Sequence, residues 1–307
     1  MGTGNVGATF AYALLFSGLA AEIVLINRDR ETADGEAMDL SHSIPFAAPA
    51  RIWAGTYEEC AGAALTVLAA GAAQGEAPDR LSLAMQNGSI FGEIVPLVVR
   101  HNPGGILLVA TNPVDVLTYA TWKMSGLPRG RVIGSGTILD SARLCSLLGE
   151  RLEVDPHDVS AVVVGEHGDS QVPLWSAAHV GGVPIRDVEL GGGPLTRDDM
   201  VDIERRTRGA GQAIAERKGA TYYAVAAGLV RIARAVLRNE RSVLSVSTVM
   251  ADYPGLEGRN VALSLPSVVG RDGVESVLRF TFEPSEREAL QHSASVIERA
   301  ISMIGIG

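Results

Sequence analysis

Cysteine is scarce: Cys60 and Cys145 are the only two in 307 residues. Two thiols this far apart build neither a disulfide framework nor a thiolate zinc site, so both read as small apolar side chains in a reducing cytoplasm. Positive charge is also short. With 26 Lys and Arg against 35 Asp and Glu, the net charge of −9 excludes the basic stripe a general nucleic-acid binder needs. It does not exclude an anionic metabolite, which one buried arginine can hold. No apolar run approaches the ~20 residues required to cross a bilayer, so no membrane partner is expected. The apolar stretch at 8–16 has no basic region before it and is not a secretory signal. A strand is lacking too. The chain opens MGTGNVGATFAYALL, where Gly2-x-Gly4-x-x-Gly7 runs straight into a helical pattern. Such glycines normally follow a β-strand and turn the chain around a pyrophosphate.

What is present fits a soluble globular protein with a large core, 47% hydrophobic and 20% charged, long enough for two domains. In the first half, short apolar runs alternate with helical patterns. Glu22–Ile26, Ala64–Ala69, Ile106–Ala110 and the shorter Arg131–Ser135 read as strands; 30–41 and 80–99 read as helices. Strands apolar on both faces imply a parallel sheet covered on both sides, the doubly wound α/β dinucleotide-binding (Rossmann) architecture. After about residue 136 the rhythm changes. A helix at 140–150 leads to the strand Ser160–Val164 and the turn GEHGDS. Helices at 196–216 and 220–238, strands at 243–249 and 260–265, and a helix from Ser285 to Met303 follow. The expected division is therefore a dinucleotide-binding domain at 1–135, lacking its first strand, and an α+β catalytic domain at 136–307.

Gly2, Gly4 and Gly7 supply a tight turn, close approach to the pyrophosphate and close helix packing. The acid expected ~20 residues later on the ribose is replaced by Asn27, followed by Arg28. Of the six histidines, His42, His101 and His292 sit in polar helical stretches, His157 in the turn DPHD, and His179 just before a Gly-Gly pair. His167 differs. It lies between glycines just beyond a strand end, where α/β proteins place their ligands, a setting suited to acid–base work. Asp140 and Arg143 are one helical turn apart and share a face; by themselves they fit an ordinary helical ion pair. Glu76, Asp79 and Arg80 form a second charged neighbourhood after a glycine-bearing loop, which fits a solvated helix start equally well.

The segments GTGNVGATFAYALL, GEAMDLSH, AAGAAQ, ATNPVDVLTY, GSGTILDSARL, GEHGDSQVPLWS and KGATYYAVA, in this order, carry a resemblance that covers essentially the whole chain. The sequence resembles the lactate/malate dehydrogenase family, and within it the L-lactate dehydrogenases. The resemblance implies NAD as cofactor, pyruvate and L-lactate as substrates, no metal, and a homotetramer. It gives His167 the role of proton carrier, with Asp140 accepting from its other ring nitrogen. Arg143 would grip the substrate carboxylate with its planar fork. Arg80, on the loop after Ala73, would polarise the carbonyl. Asn112 would hydrogen-bond the reacting oxygen and contact the cofactor, and Thr221 would line the pocket by the substrate methyl. Cofactor contacts are implied at Gly2, Gly4, Asn5, Val6, Gly7, Asn27, Arg28, Gly71 and Ala72. Six residues before the loop arginine, a Gln accompanies lactate and an Arg malate; this chain has Gln74. Where fructose-bisphosphate-activated members carry Arg and His, it has Cys145 and Ser160, so that activation is not expected. The rival readings are a malate or other 2-hydroxyacid dehydrogenase and a non-catalytic nucleotide-binding protein of the same fold. A metal-dependent glycosidase would need a Cys–His metal pair that the sequence does not display. Relatives begin with a short strand at the centre of the sheet, of which Met1 is all that remains; a late start is the expectation, and a truncated, poorly stable chain the alternative.

Overall fold

The structure is a computed structural model that describes residues 1–72, 80–190, 193–250 and 252–305; the side chains of Arg80 and Leu81 are outside that description. In chain order the first half holds α1 (Asn5–Ser17), β1 (Glu22–Leu25), α2 (Arg30–His42), β2 (Arg51–Ala54), β3 (Leu65–Leu68), α3 (Arg80–His101), β4 (Ile106–Val109), α4 (Val114–Ser125) and β5 (Val132–Gly134). The second half holds α5 (Ile138–Leu152), the short strands β6 (Val159–Ser160), β7 (Val163–Val164), β8 (Val172–Pro173), β9 (His179–Val180) and β10 (Val183–Pro184), then α6 (Arg197–Lys218) and α7 (Tyr223–Leu237). The strands β11 (Ser242–Val249), β12 (Ala262–Gly270) and β13 (Gly273–Val277) and the helix α8 (Pro284–Met303) complete it.

The parallel strands read from the sequence are present, with β2 in addition. RIWA is short and opens on an exposed arginine, so its alternation carries little signal. β3, β4 and β5 pair in parallel. Their sheet continues through β11, β12 and β13, all antiparallel, to give the order β13-β12-β11-β5-β4-β3. β4 is buried along its whole length, as a strand covered on both faces must be. Ile106 and Leu108 join a core with α1, α2 and α7, whereas Leu107 and Val109 face α3 and α4. The strand expected at 160–164 is broken into β6 and β7, because Val159–Ser160 pairs with β9 and Val163–Val164 with β8. α7 begins at Tyr223 rather than at residue 220.

The sheet is also split. β1 and β2 form a separate parallel pair. A groove of ≈ 440 Å³, lined by Ile23, Leu25, Leu65, Val67 and Phe10 among others, lies between β1 and β3. Met1 bridges its end: its amino group donates to Val67 O at 3.0 Å and its carbonyl accepts from Ala69 N–H at 2.9 Å. Gly2 N–H reaches across to Ile26 O at 2.8 Å.

Candidate active site

Three loops at the carboxyl ends of β4, β5 and β7 converge. The first runs from Ala110 through the cis peptide Asn112–Pro113 into α4. The second is Ser135-Gly136-Thr137, entering α5. Gly136 has φ 55°, and a Cβ there would sit 2.3 Å from Ser264 Oγ and 2.5 Å from Ser247 N, so only glycine lets α5 start this close to β11 and β12. Thr137 Oγ1 and Ser245 Oγ both donate to Val163 O, at 2.5 and 2.6 Å, and Ser141 Oγ accepts Val163 N–H at 2.9 Å. α5 and β7 are thereby fixed to each other, and the third loop, Gly165-Glu166-His167-Gly168, follows directly.

In this frame Asp140 is the hub. Its side chain is 4% exposed; Oδ2 lies 2.5 Å from His167 Nδ1, and Oδ1 accepts from Arg143 Nη1 at 3.2 Å. The bond to Nδ1 fixes the tautomer and leaves Nε2 as the ring nitrogen for a ligand. Burial disfavours the imidazolium, but the hydrogen bond and charge of Asp140, aided by the charge of Asp115 and opposed by Arg143, hold the His167 pKa above its usual value. Arg143 is 15% exposed and faces α6, where Gly211 leaves the space beside Nη2 clear. The family resemblance brought these three residues together, and Asp140 is in contact with both of the others.

Asp115, within the segment ATNPVDVLTY but without a role read from the sequence, sits behind them. It is 3% exposed; its Oδ2 accepts from His167 N–H at 2.7 Å and its Oδ1 from Ser247 Oγ at 2.7 Å. Burial raises its pKa to about 6, against the pull of these two hydrogen bonds. Asn87 was also missed. Its Oδ1 accepts from Ala72 N–H at 2.8 Å and its Nδ2 donates to Asn112 O at 2.7 Å, tying the loop after β3 to the loop after β4. A polar residue inside the long α3 gave no sequence signal beyond its polarity.

Asn112 is exposed at the mouth of the site. Thr221 is half-buried in the link between α6 and α7, and no hydrogen bond among the described residues joins it to His167, Asp140 or Arg143. Gln74 lies outside the described residues. Arg80 is the first residue of α3.

The glycine turn fits a dinucleotide. A Cβ on Gly7 would lie 1.9 Å from Gly2 O, and one on Gly2, at φ 84°, 2.6 Å from Ala70 N; around Gly4 nothing lies within 4 Å. Gly2 and Gly7 therefore let the turn and α1 pack closely, and Gly4 leaves the approach open. Gly4 is the N-cap of α1, with no side-chain cap and no acid in the first turn, so the start of this 13-residue helix is suited to an anion. Asn5 and Val6 open that helix. Gly71 is as constrained: a Cβ there would meet Thr111 Cγ2 at 2.8 Å. Asn27 is half-buried at the end of β1, its Oδ1 accepting Arg28 N–H at 3.0 Å, and Arg28 is exposed. Among the described residues, no cluster of His, Cys, Asp and Glu has the arrangement to hold a metal, and no helix is long and apolar enough to cross a membrane.

A chain with a glycine turn at a helix start and a carboxylate-held histidine beside an arginine has parallels among known proteins. The model of the lactate/malate dehydrogenase NAD-binding domain matches residues 1–134, and that of the α/β C-terminal domain matches residues 137–304. An L-lactate dehydrogenase from Thermus aquaticus is 45% identical over 306 residues, 99% of this chain and 98% of the relative. One from Geobacillus sp. (strain WCH70) is 45% identical over 303 residues, 98% of this chain and 94% of the relative. The crystal structure of the minor L-lactate dehydrogenase from Enterococcus mundtii in ligand-bound form superposes with a TM-score of 0.94 at 39% identity, covering 98% of this chain and 96% of that one. The chain belongs to the lactate/malate dehydrogenase family.

Proposed function

We propose that this chain catalyses reversible hydride transfer between NADH and pyruvate, giving L-lactate and NAD. The observation that carries the reading is the Asp140 carboxylate bridging His167 and Arg143, a proton carrier and a carboxylate clamp fixed on one buried anion. NADH supplies the hydride and NAD accepts it in reverse. The protein supplies everything else. Arg143 holds the substrate carboxylate through its planar fork, which also orients the carbonyl. Negative charge grows on the carbonyl oxygen during reduction, and His167 delivers a proton to it from Nε2. Asp140 stabilises the imidazolium before transfer and holds the ring at one angle throughout. Asn112 would add a hydrogen bond to that oxygen and Thr221 would border the methyl group; the polarising role that the family resemblance gives Arg80 falls on a side chain outside the described residues. The start of α1 would hold the pyrophosphate of the cofactor, and Gly71, Ala72, Asn27 and Arg28 would contact the rest of it.

Substrate choice rests on Gln74. Oxaloacetate carries a second carboxylate where pyruvate has a methyl, and a neutral amide does not compensate a desolvated charge. The domain division at 135/136, a homotetramer, a cytoplasmic location and insensitivity to fructose bisphosphate, with Cys145 and Ser160 in place of two cations, belong to the same proposal. The test is steady-state NADH oxidation with pyruvate and with oxaloacetate. The parent is expected to prefer pyruvate, and Gln74→Arg to shift the kcat/KM ratio toward oxaloacetate by ~3 kcal/mol. A parent that prefers oxaloacetate overturns the lactate reading in favour of malate. A parent that turns over neither leaves the non-catalytic reading standing.

A further inference from the structure

Asp115 is an expensive residue to bury. It sits in the first turn of α4, 3% exposed, with its two oxygens on hydrogen bonds from two other parts of the fold, the His167 main chain and Ser247 on β11. A carboxylate kept dry with so few donors costs stability whenever it is ionised. The charged groups around the His167 imidazole, among the described residues, are Asp140 and Arg143 from α5 and Asp115 from α4; Asp115 itself is faced by Glu166 and His167. β11 offers it only the Ser247 hydroxyl. Asp140 reaches the ring and Asp115 the main-chain N–H of the same residue, so His167 is held at both ends by anions from different helices.

We propose that Asp115 is a positioning residue for proton transfer: it sets the place of His167 through the main-chain N–H and supplies a second negative charge that keeps the imidazole protonated as the pH rises. The proposal rests on His167 being the proton carrier. It separates into two parts. The hydrogen bond needs only an acceptor, which an amide provides equally well. The charge needs an ionised carboxylate, and burial delays ionisation to about pH 6. Below that pH the parent carries a neutral acid at this position and resembles an amide variant; above it the two diverge.

The experiment is the pH profile of kcat/KM for pyruvate, measured for the parent, Asp115→Asn and Asp115→Ala with saturating NADH. Asn keeps an acceptor for His167 N–H and can donate to Ser247 Oγ. It is expected to match the parent within about twofold near pH 5.5 and to fall ~3–10-fold behind by pH 8, its alkaline limb displaced downward by about half a unit to one unit. Ala loses the acceptor as well and is expected to be slower at every pH. Melting temperature gives an independent reading. Asp115→Asn removes an ionised buried group, so above pH 6 it is expected to melt no lower than the parent while turning over more slowly, a combination that a merely structural carboxylate would not produce. Ser247→Ala guards against a variant that fails to fold. Losing one donor makes Asp115 harder to ionise, so Ser247→Ala is expected to fall behind the parent from about pH 6, as Asn does, and to rejoin it once the pH passes its own raised Asp115 value. A parent-to-Asn ratio that stays flat across pH, or an unmoved limb in Ser247→Ala, overturns the role of Asp115. A parent without any alkaline limb overturns the role of His167, and this proposal with it.

Discussion

The proton-handling corner and the cofactor edge of this molecule are built by different means. In the corner, hydrogen bonds between residues far apart in the chain converge on a few side chains. Asp140 holds His167 and Arg143, Asp115 holds His167 and Ser247, and Ser293 Oγ accepts Glu166 N–H at 2.7 Å. At the edge, α1, β1 and β2 are held by apolar packing of α1 against α7 and by the few main-chain bonds of Met1 and Gly2. Reaction geometry tolerates errors well below an ångström, and only an over-determined network of directional bonds gives that precision. Pyrophosphate recognition at a helix start depends on backbone shape, which glycine packing provides. Substitutions in the corner should therefore change rate with little effect on cofactor affinity, and changes at the edge should do the reverse.

The largest effect expected comes from removing the proton carrier. His167→Asn is expected to lower kcat/KM for pyruvate by ~10³-fold or more, about 4 kcal/mol, within the range general acid catalysis contributes. NADH affinity by fluorescence titration is expected to stay within about twofold. The parent pH dependence follows from the same residue. Reduction needs the imidazolium, and the net influence of burial, Asp140, Asp115 and Arg143 is to raise its pKa above 6.5. Pyruvate kcat/KM is therefore level at low pH and declines only as the pH rises through that raised value, while lactate oxidation, which needs neutral His167, gains over the same interval. Equal loss of NADH binding and of turnover in His167→Asn would erase the contrast between corner and edge.

The next effect is at the edge. β1 and β3 face each other across a groove lined by Ile23, Leu25, Leu65 and Val67 together with Glu22, Arg51 and Glu59, with Met1 hydrogen-bonded at its end. A five-residue strand such as KVAVV, added before Met1, would enter it parallel to both neighbours. Each buried side chain gains ~1.5–3 kcal/mol, and ordering each residue of backbone costs ~1–2 kcal/mol, so a few kcal/mol remain. The extended chain is expected to melt several degrees higher and to bind NADH more tightly, with kcat for pyruvate little changed. Identical melting temperatures and affinities would mean that the groove does not weaken the edge.

The two regions were also unequally legible in the sequence. Short apolar runs bounded by turns located β1, β3, β4 and β5: β4 and β5 are buried throughout, and β1 and β3 carry one polar residue each, Glu22 and Thr66. The strand end marked out His167, whereas Asp140 and Arg143, by themselves an ordinary helical ion pair, were joined to it by the family resemblance. Asp115 and Asn87 were not legible, since their importance lies in hydrogen bonds to partners 52 and 25 residues away, His167 and Asn112. No local pattern encodes such partners. The run of β11 into the first-half sheet was hidden for the same reason, as it rests on the pairing of Ser247 with Gly134. β2 was missed because four residues with one exposed arginine do not establish a period.

The smallest effect concerns cofactor choice at the end of β1. An acid there would hydrogen-bond the ribose hydroxyls of NADH and repel the 2′-phosphate of NADPH, and Asn27 does neither with a charge. The nearby acid does not replace it: Asp29 caps α2, accepting from Glu31 N–H at 3.1 Å and Thr32 Oγ1 at 2.6 Å, and the Thr32 hydroxyl foremost holds its pKa below the usual carboxylate range. Arg28 is exposed beside it and attracts a phosphate. NADH is therefore expected to be preferred only modestly. In Asn27→Asp one oxygen can keep the bond from Arg28 N–H that Oδ1 now accepts, and the other adds a charged acceptor. The NADH/NADPH ratio of kcat/KM is expected to rise by ~1–2 kcal/mol, the worth of one charge-assisted hydrogen bond together with the repulsion it brings. Because this change acts on the ribose and not on the reacting carbonyl, kcat with saturating NADH should be unaffected. A ratio that does not move would show that residue 27 faces away from the ribose; a fall in kcat at saturation would show that the edge and the corner are coupled after all.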